Sequence, residues 1–231
     1  MMDRIQKNLE AVNASIHQAA IAYGRNVDRI QLVAVSKTVG VDVIRKAIEA
    51  GVTRLGENYV QETRDKVNAL RISSVSWHFI GHLQTNKAKI AVRLFDLIHT
   101  VDSLKLAQEL DKQAGKINKI QNILVQINMG KERSKSGADP ADAIQLIKNI
   151  SRFESIKVKG LMTMPPFYND PEKARPYFSA LRQLRDRINA QGISNIALSE
   201  LSMGMTGDFK VAIAEGATLV RIGTAIFGRR P

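Results

Sequence analysis

The sequence predicts an α/β protein that folds as a single (β/α)8 TIM barrel. Eight short apolar segments alternate along the chain with helical patterns. Strands separated by helices pair in parallel through right-handed crossovers, and eight such units close into a barrel. The length of 231 residues suits one barrel domain over residues 1–231. An open doubly wound sheet is the alternative, although SKTVG at 36–40 lacks the glycine-rich turn that usually follows its first strand.

The strand candidates are short apolar runs bounded by turn residues. They are residues 31–36, 53–55, 76–81, 97–100, 122–128, 157–162, 197–201 and 218–222. Helical periodicity predicts outer helices at 41–50, 59–70, 86–94, 103–114, 138–150, 174–190 and 206–215. The segment MMDRIQKNLEAVNASIHQAA predicts a further, amphipathic helix before the first strand. Because little helix can follow Thr224, we expect this N-terminal helix to fill the place of the final outer helix.

Composition excludes several classes of protein. The chain has no cysteine, so it contains neither a disulfide framework nor a thiolate metal site. Nowhere do about 18 apolar residues run together, as a membrane-spanning helix requires. Acidic residues interrupt the N-terminal segment where a signal peptide would be apolar. These observations predict a soluble, cytoplasmic protein.

The net charge of +12 admits an anionic partner. The basic residues are spread along the chain, however, and aromatic residues, which are not interleaved with them, form only 5% of it. We therefore expect small anionic ligands rather than nucleic acid. His78 and His82 are four residues apart, but WHFIGH indicates a strand and a turn, whereas a zinc-binding pair of this spacing needs a helix. No metal site is predicted.

Lys37 stands where the first predicted strand ends. In a barrel of this type the working residues lie at the carboxyl ends of the strands. Strand alternation puts Val33, Val35 and Lys37 on one face, which can point inward at the barrel mouth. Partial burial lowers the pKa of an amine from about 10.4, and a neutral amine can form an imine with an aldehyde. The alternative is an ordinary solvated strand terminus.

The last two predicted strands supply a candidate anion site. Arg221 is followed by Gly223 and Thr224, where a short helix can begin, and the N–H groups of a helix start attract anions. Ser202, Gly204 and Thr206 add hydroxyl groups and open backbone after strand seven. Barrels often bind phosphate with the loops after strands seven and eight. Each feature is weak by itself, but a barrel-mouth lysine facing a phosphate site is the minimum needed to hold pyridoxal 5′-phosphate (PLP).

Two further groups of residues near the strand ends have two interpretations each. Glu57 and Glu62 are either an acid–base pair or carboxylates attracted by a helix N-terminus. The methionines of GLMTM and SMGM either line a ligand site or provide flexible packing.

Five segments of the chain resemble the pyridoxal phosphate homeostasis protein family. They are LVAVSKTVG, GENYVQE, WHFIGHLQTNK, GLMTM and LSMGMTGDFKVAIAEGATLVRIGTAIFGRR. The resemblance spans nearly the whole chain. It implies a fold-type III PLP-binding barrel related to the N-terminal domain of alanine racemase. It also implies PLP held as an internal aldimine, a role in vitamin B6 homeostasis and amino-acid metabolism, and no established reaction.

The resemblance also implies roles for particular residues, matched by position. Lys37 matches the lysine that binds PLP covalently. The other cofactor-binding matches are Asn58 and His82 near the ring, Ser202, Met203 and Gly204 on strand seven, and Arg221, Gly223 and Thr224 on strand eight. The loop ERSKSG departs from the family, because Arg133 stands where an acidic or polar residue is usual. This departure puts any role of Lys135 in doubt.

Two arguments favour a PLP carrier over an enzyme. An arginine beside the pyridine nitrogen keeps that nitrogen unprotonated, because two adjacent, partly desolvated cations cost on the order of several kcal/mol. The ring is then a poor electron sink, which argues against aminotransferase chemistry. A two-base racemase also needs a group opposite the lysine, which alanine racemases take from a further β domain and the dimer partner. This chain ends at Pro231 without residues for that domain, so we expect no catalytic residues and a monomer.

Other functions stay open at this point. The first alternative is a weak PLP-dependent amino-acid racemase. The second is a basic adaptor that binds RNA or an acidic partner, which only the net charge suggests. For a carrier, the expected partners are PLP and PLP-dependent apoenzymes.

Overall fold

The computed structural model describes residues 4–132 and 136–228. Eight parallel strands follow one another around a closed barrel, in which β1 pairs with both β2 and β8. The strands are β1 Gln31–Val35, β2 Arg54–Glu57, β3 Ser76–Phe79, β4 Leu97–Val101, β5 Gln121–Gln126, β6 Ile156–Met162, β7 Glu200–Ser202 and β8 Leu219–Ile222. The predicted (β/α)8 barrel is thereby confirmed.

The helices surround the barrel and alternate with the strands. They are α1 Arg4–Ala22, α2 Val41–Glu49, α3 Val60–Leu70, α4 Ala88–Leu94, α5 Leu104–Gly115, α6 Ala143–Ile150, α7 Arg175–Ala190, α8 Phe209–Ala214 and α9 Thr224–Phe227. None of the helices in the described ranges is long and apolar enough to cross a membrane.

Helix α6 and strand β7 are among the elements that begin later than the sequence predicts, and both do so for local reasons. Helix α6 is delayed because Asp139 Oδ1 accepts a hydrogen bond of 2.8 Å from the Ala141 N–H, which forms a turn first. Strand β7 is delayed because the side chain of Asn189 binds both backbone groups of Leu198. Both shifts come from side-chain hydrogen bonds to the backbone, which apolar periodicity does not reveal.

Helix α1 lies against α2, α8 and α9. Its buried face carries Ile5, Leu9, Val12, Ile16, Ala19 and Ala20, a spacing of three to four residues. Asn8 Nδ2 donates a hydrogen bond of 2.9 Å to the carbonyl of Ile226 in α9. The N-terminal helix therefore covers the seam between the last and first strands, as expected.

The barrel interior has its own apolar layer, separate from the larger core between sheet and helices. This layer consists of Val33, Leu97, Leu124, Met162 and Leu219. Val33 thus faces inward, as the alternation on strand one predicts. Two residues further along β4 and β8, the inward positions carry His99 and Arg221, so a polar layer lies above the apolar one.

Candidate functional site

A cavity of about 530 Å³ opens at the carboxyl ends of the strands. Six of the nine predicted cofactor-binding residues line it: Lys37, Asn58, His82, Arg221, Gly223 and Thr224. The other lining residues come from the ends of β1, β3, β4 and β5 and from the loops after β6 and β7. The barrel therefore brings most of the predicted site together at the edge where such proteins bind ligands.

Lys37 lies two residues after the end of β1, and its half-buried side chain lines the cavity. The next residue, Thr38, has a φ of +62°, a left-handed conformation that is rare for a β-branched residue. Ser36, on the other side, is fully buried. A sharp turn with fixed flanks thus carries the lysine into the cavity.

Arg221 is a buried cation at the base of the cavity, with only 3% of its surface exposed. Nη1 donates a hydrogen bond of 2.6 Å to Ser202 Oγ, and Nη2 donates one of 3.0 Å to the Thr163 carbonyl. Both partners are neutral oxygens, and the described residues place no carboxylate within ion-pair distance of this guanidinium. Burial lowers the pKa of Arg221 to about 10, and Asp208 opposes that shift. A buried charge of this kind attracts an anion or a lone pair.

A chain of hydrogen bonds runs from Arg221 into the barrel. Ser202 Oγ is 2.8 Å from His99 Nδ1, His99 Nε2 is 3.0 Å from His78 Nδ1, and His78 Nε2 is 3.2 Å from Ser76 Oγ. Arginine only donates, so Ser202 Oγ accepts the hydrogen bond from Arg221. We call Ser202, His99, His78 and Ser76 the histidine chain.

Both imidazoles of the histidine chain are neutral. Burial lowers the pKa of His78 to about 4, and the charge of Arg54 acts in the same direction. Burial also lowers the pKa of His99 well below its usual value, with His78 and Arg221 adding to the effect. The sequence analysis missed His99, although its position two residues after inward-facing Leu97 is the signal that could have revealed it.

The predicted residues of strand seven lie beneath the cavity rather than along its wall. The Ser202 side chain belongs to the histidine chain, and Met203 is fully buried. Gly204 has a φ of +91°, and a Cβ there would lie 2.6 Å from the Ala212 Cβ, so glycine lets the chain pass close to α8. Direct contact of these three residues with a ligand stays a prediction.

Asn58 and Thr100 present polar atoms without partners. Asn58 Oδ1 and Thr100 Oγ1 are both buried, and neither has a hydrogen-bond partner within the described ranges. Gly81 allows the Asn58 position, because a Cβ at 81 would lie 2.6 Å from Asn58 Cα. Thr100 lines the cavity beside a shift in the β4–β5 register between Ile98 and Val101. This irregularity breaks simple alternation, which is why the sequence analysis missed Thr100.

The opposite side of the cavity is polar and more open. His82 is exposed, and its Nδ1 lies 3.1 Å from Ser136 Oγ. Gln126 Nε2 donates a hydrogen bond of 2.8 Å to the Ser136 carbonyl. His82 thus lies on the cavity wall, and its place near a ring stays a prediction; Gln126 and Ser136 line the cavity as well, without having been predicted from the sequence.

The loop after β6 forms an apolar rim on the cavity. Phe167 is 83% exposed, and the Tyr168 hydroxyl lies 2.9 Å from that of Tyr177. Met164 and Met205 line the cavity, whereas the other two methionines of the motifs are fully buried. Both interpretations of the methionines therefore apply, each to one pair.

Glu57 and Glu62 are paired with Lys66 and do not line the cavity. Within residues 4–132 and 136–228, no three His, Asp or Glu side chains are grouped to hold a metal ion. His78 contacts His99 rather than His82. Lys135 and Arg133 lie outside the described residues.

The chain is similar in sequence and in fold to known proteins. The family model for the alanine racemase N-terminal domain matches residues 2–231. The pyridoxal phosphate homeostasis protein of Aquifex aeolicus is 43% identical over 228 residues, covering 99% of this chain and 97% of that protein. The PLP-bound structure of PipY from Synechococcus elongatus has a TM-score of 0.86 at 35% identity, over 97% of this chain and 100% of that one. An alanine racemase of Clostridium difficile shares the fold, with a TM-score of 0.78 at 18% identity, over 100% of this chain and 58% of its own.

The closed barrel and the lysine at its mouth define the class as barrel proteins of the alanine racemase N-terminal type. The high identity to the Aquifex protein over almost the full length of both chains narrows this assignment. The chain belongs to the pyridoxal phosphate homeostasis protein family.

The residues of the cavity fit PLP chemically. PLP carries an aldehyde, a phosphate and a pyridine nitrogen. The cavity offers an amine in Lys37, a buried cation in Arg221, and the unpartnered polar atoms of Asn58 and Thr100. Gly223 and Thr224 lie at the start of α9, on the Arg221 side of the cavity.

Proposed function

We propose that this protein holds PLP covalently on Lys37 and acts as a non-catalytic PLP carrier in vitamin B6 homeostasis. The proposal rests on two residues that line the same cavity. Lys37 lies on the cavity wall, and Arg221 is a buried cation without a carboxylate partner in the described residues. The structure of the relative PipY with PLP bound supports the proposal. We extend the proposal to residues 1–231 as one PLP-binding unit.

The covalent step needs no oxidant or other co-reactant. Lys37 Nζ forms a C=N bond with the aldehyde carbon, and one water molecule leaves. Gly223 and Thr224 would hold the phosphate, Asn58 and His82 would lie near the ring, and Arg221 would face the pyridine nitrogen. Ser202, Met203 and Gly204 would complete the strand-seven side.

A charged Arg221 supports a carrier rather than an enzyme. Even with its pKa lowered to about 10, Arg221 stays protonated at neutral pH. A cation facing the pyridine nitrogen disfavours its protonation, so the bound ring is a poor electron sink. Racemase activity is the second candidate, which the alanine racemase-type fold favours. Turnover of single-enantiomer amino acids at ordinary enzyme rates would support it instead.

The proposal is tested by the visible absorption of the PLP-loaded protein. We expect the parent protein to be yellow and Lys37→Ala to lose this band. Lys89→Ala is the matched control, because Lys89 is an exposed lysine of α4 that does not line the cavity. A Lys37→Ala variant that retains the band would overturn the assignment.

We further propose that the protein is a cytoplasmic monomer and that it transfers PLP to PLP-dependent apoenzymes.

A further inference from the structure

A buried ion cluster lies behind the turn that carries Lys37. Its centre is Lys66 on α3, which is 5% exposed. Lys66 Nζ is 2.7 Å from Glu57 Oε1, 2.7 Å from Glu62 Oε1 and 2.7 Å from the Ser36 carbonyl oxygen. An ammonium has three hydrogens, and this geometry gives each of them an acceptor. We call Lys66, Glu57 and Glu62 the Lys66 cluster.

The Lys66 cluster also holds both chain neighbours of Lys37. Ser36 Oγ donates a hydrogen bond of 2.7 Å to Glu57 Oε1, and the Ser36 carbonyl accepts a hydrogen bond from Lys66. On the other side of Lys37, the Thr38 N–H donates a hydrogen bond of 2.6 Å to Glu62 Oε1. One buried ammonium thus links the residue before Lys37 to the residue after it.

Thr38 explains why such a restraint is needed. Its φ of +62° lies in the left-handed region, where a β-branched residue is strained. A strained residue persists only when its surroundings hold it. The hydrogen bond to Glu62 supplies that hold, and the buried Lys66 fixes Glu62 in turn. Without the hydrogen bond from Thr38 to Glu62, the turn would relax and redirect the side chain of Lys37.

We propose that the Lys66 cluster positions Lys37 for covalent binding of PLP, with Glu62 and Lys66 as positioning residues. The inference rests on the proposed function and deepens it. The cluster lies outside the cavity lining, so it acts through the residues on either side of Lys37, Ser36 and Thr38. The competing explanation is an ion cluster that merely attaches α3 to the barrel.

The experiment uses Glu62→Ala, Thr38→Gly and the double variant. Glu62 is the better site for truncation, because its side chain is 27% exposed, and its removal leaves Lys66 paired with Glu57. Glu109→Ala is the matched control: Glu109 is also a helical carboxylate bonded within its helix, but it lies on α5 away from the cavity. Apo-protein is mixed with PLP, and the rate of borohydride-trapped adduct formation on Lys37 is measured beside the melting temperature.

We expect Glu62→Ala to slow adduct formation about tenfold, because the amine is no longer held in its reactive position. Thr38→Gly in that background should recover most of the lost rate, since glycine adopts a positive φ without the restraint. The melting temperature should not recover in parallel, which separates positioning from general stability. Glu109→Ala should match the parent rate.

Two results would overturn the inference. One is a parent-like rate in Glu62→Ala, and the other is a double variant no faster than Glu62→Ala. Failure of the proposed function would look different, because the parent protein itself would then form no adduct on Lys37.

Discussion

At the scale of single residues, Arg221 is the feature that most constrains a ligand. Its guanidinium uses two N–H groups on the neutral oxygens of Ser202 and Thr163 while it also borders the cavity. Desolvating a cation without a carboxylate in ion-pair contact is costly, and a fold that keeps one has a reason to do so. A ligand that accepts a hydrogen bond or carries negative charge supplies the missing partner.

We therefore predict that Arg221→Met weakens PLP binding by about tenfold to a hundredfold, the usual cost of losing a hydrogen bond from a charged group. The free energy of unfolding of the apo-protein should change much less, by about 1 kcal/mol, because a buried charge is removed together with its hydrogen bonds. PLP titration and urea unfolding measure the two quantities. Unchanged affinity would show that Arg221 does not face the ligand.

At the scale of secondary-structure elements, the histidine chain joins β3, β4 and β7 across the barrel interior, and Arg221 connects it to β8. Its members are apart in the sequence and meet only because each strand turns the same inward face to the axis. Strand alternation predicts which positions face inward. It cannot predict which inward side chains reach each other, because that depends on the stagger of the strands.

The histidine chain predicts a loss of stability in acid. The pKa of His78 in the folded protein is about 4, against 6.5 ordinarily, so the unfolded chain binds the proton first as the pH falls. The free energy of unfolding should drop between pH 6.5 and 4, by roughly 3 kcal/mol from this residue alone. The lowered pKa of His99 acts in the same direction.

Urea unfolding across this pH range measures the effect. His78→Gln should flatten the pH dependence relative to the parent protein, while His17→Gln, at an exposed position of α1, should leave it unchanged. Comparing variants also cancels the opposite contribution of Glu57, whose pKa is raised by burial. Equal slopes for His78→Gln and the parent protein would mean that the imidazole is not held neutral by the fold.

The elements themselves could largely be predicted from the sequence. Apolar runs and helical periodicity identify all eight strands and the main helices, because both patterns reflect burial on a regular element. The boundaries of β7 and α6 could not be predicted, because the Asn189 and Asp139 side chains compete there for backbone groups.

At the scale of the whole molecule, barrel closure creates the site. β1 pairs with β8 with Val33 opposite Arg221, so strands from the two ends of the chain carry Lys37 and Arg221 to one cavity. Because the predicted site residues stand at strand ends, the sequence alone could predict that Lys37 and Arg221 lie at one cavity. Thr100, His99 and the Phe167 rim were not predicted, because a register shift, a cross-barrel contact and a loop path depend on tertiary structure.

The most direct measurement is peptide mass mapping of the PLP-loaded protein after borohydride reduction. The account predicts one pyridoxyl-phosphate adduct, located on the peptide that contains Lys37, whose amine lines the cavity that Arg221 closes from below. An adduct on a different lysine, or no adduct on protein saturated with PLP, would contradict it.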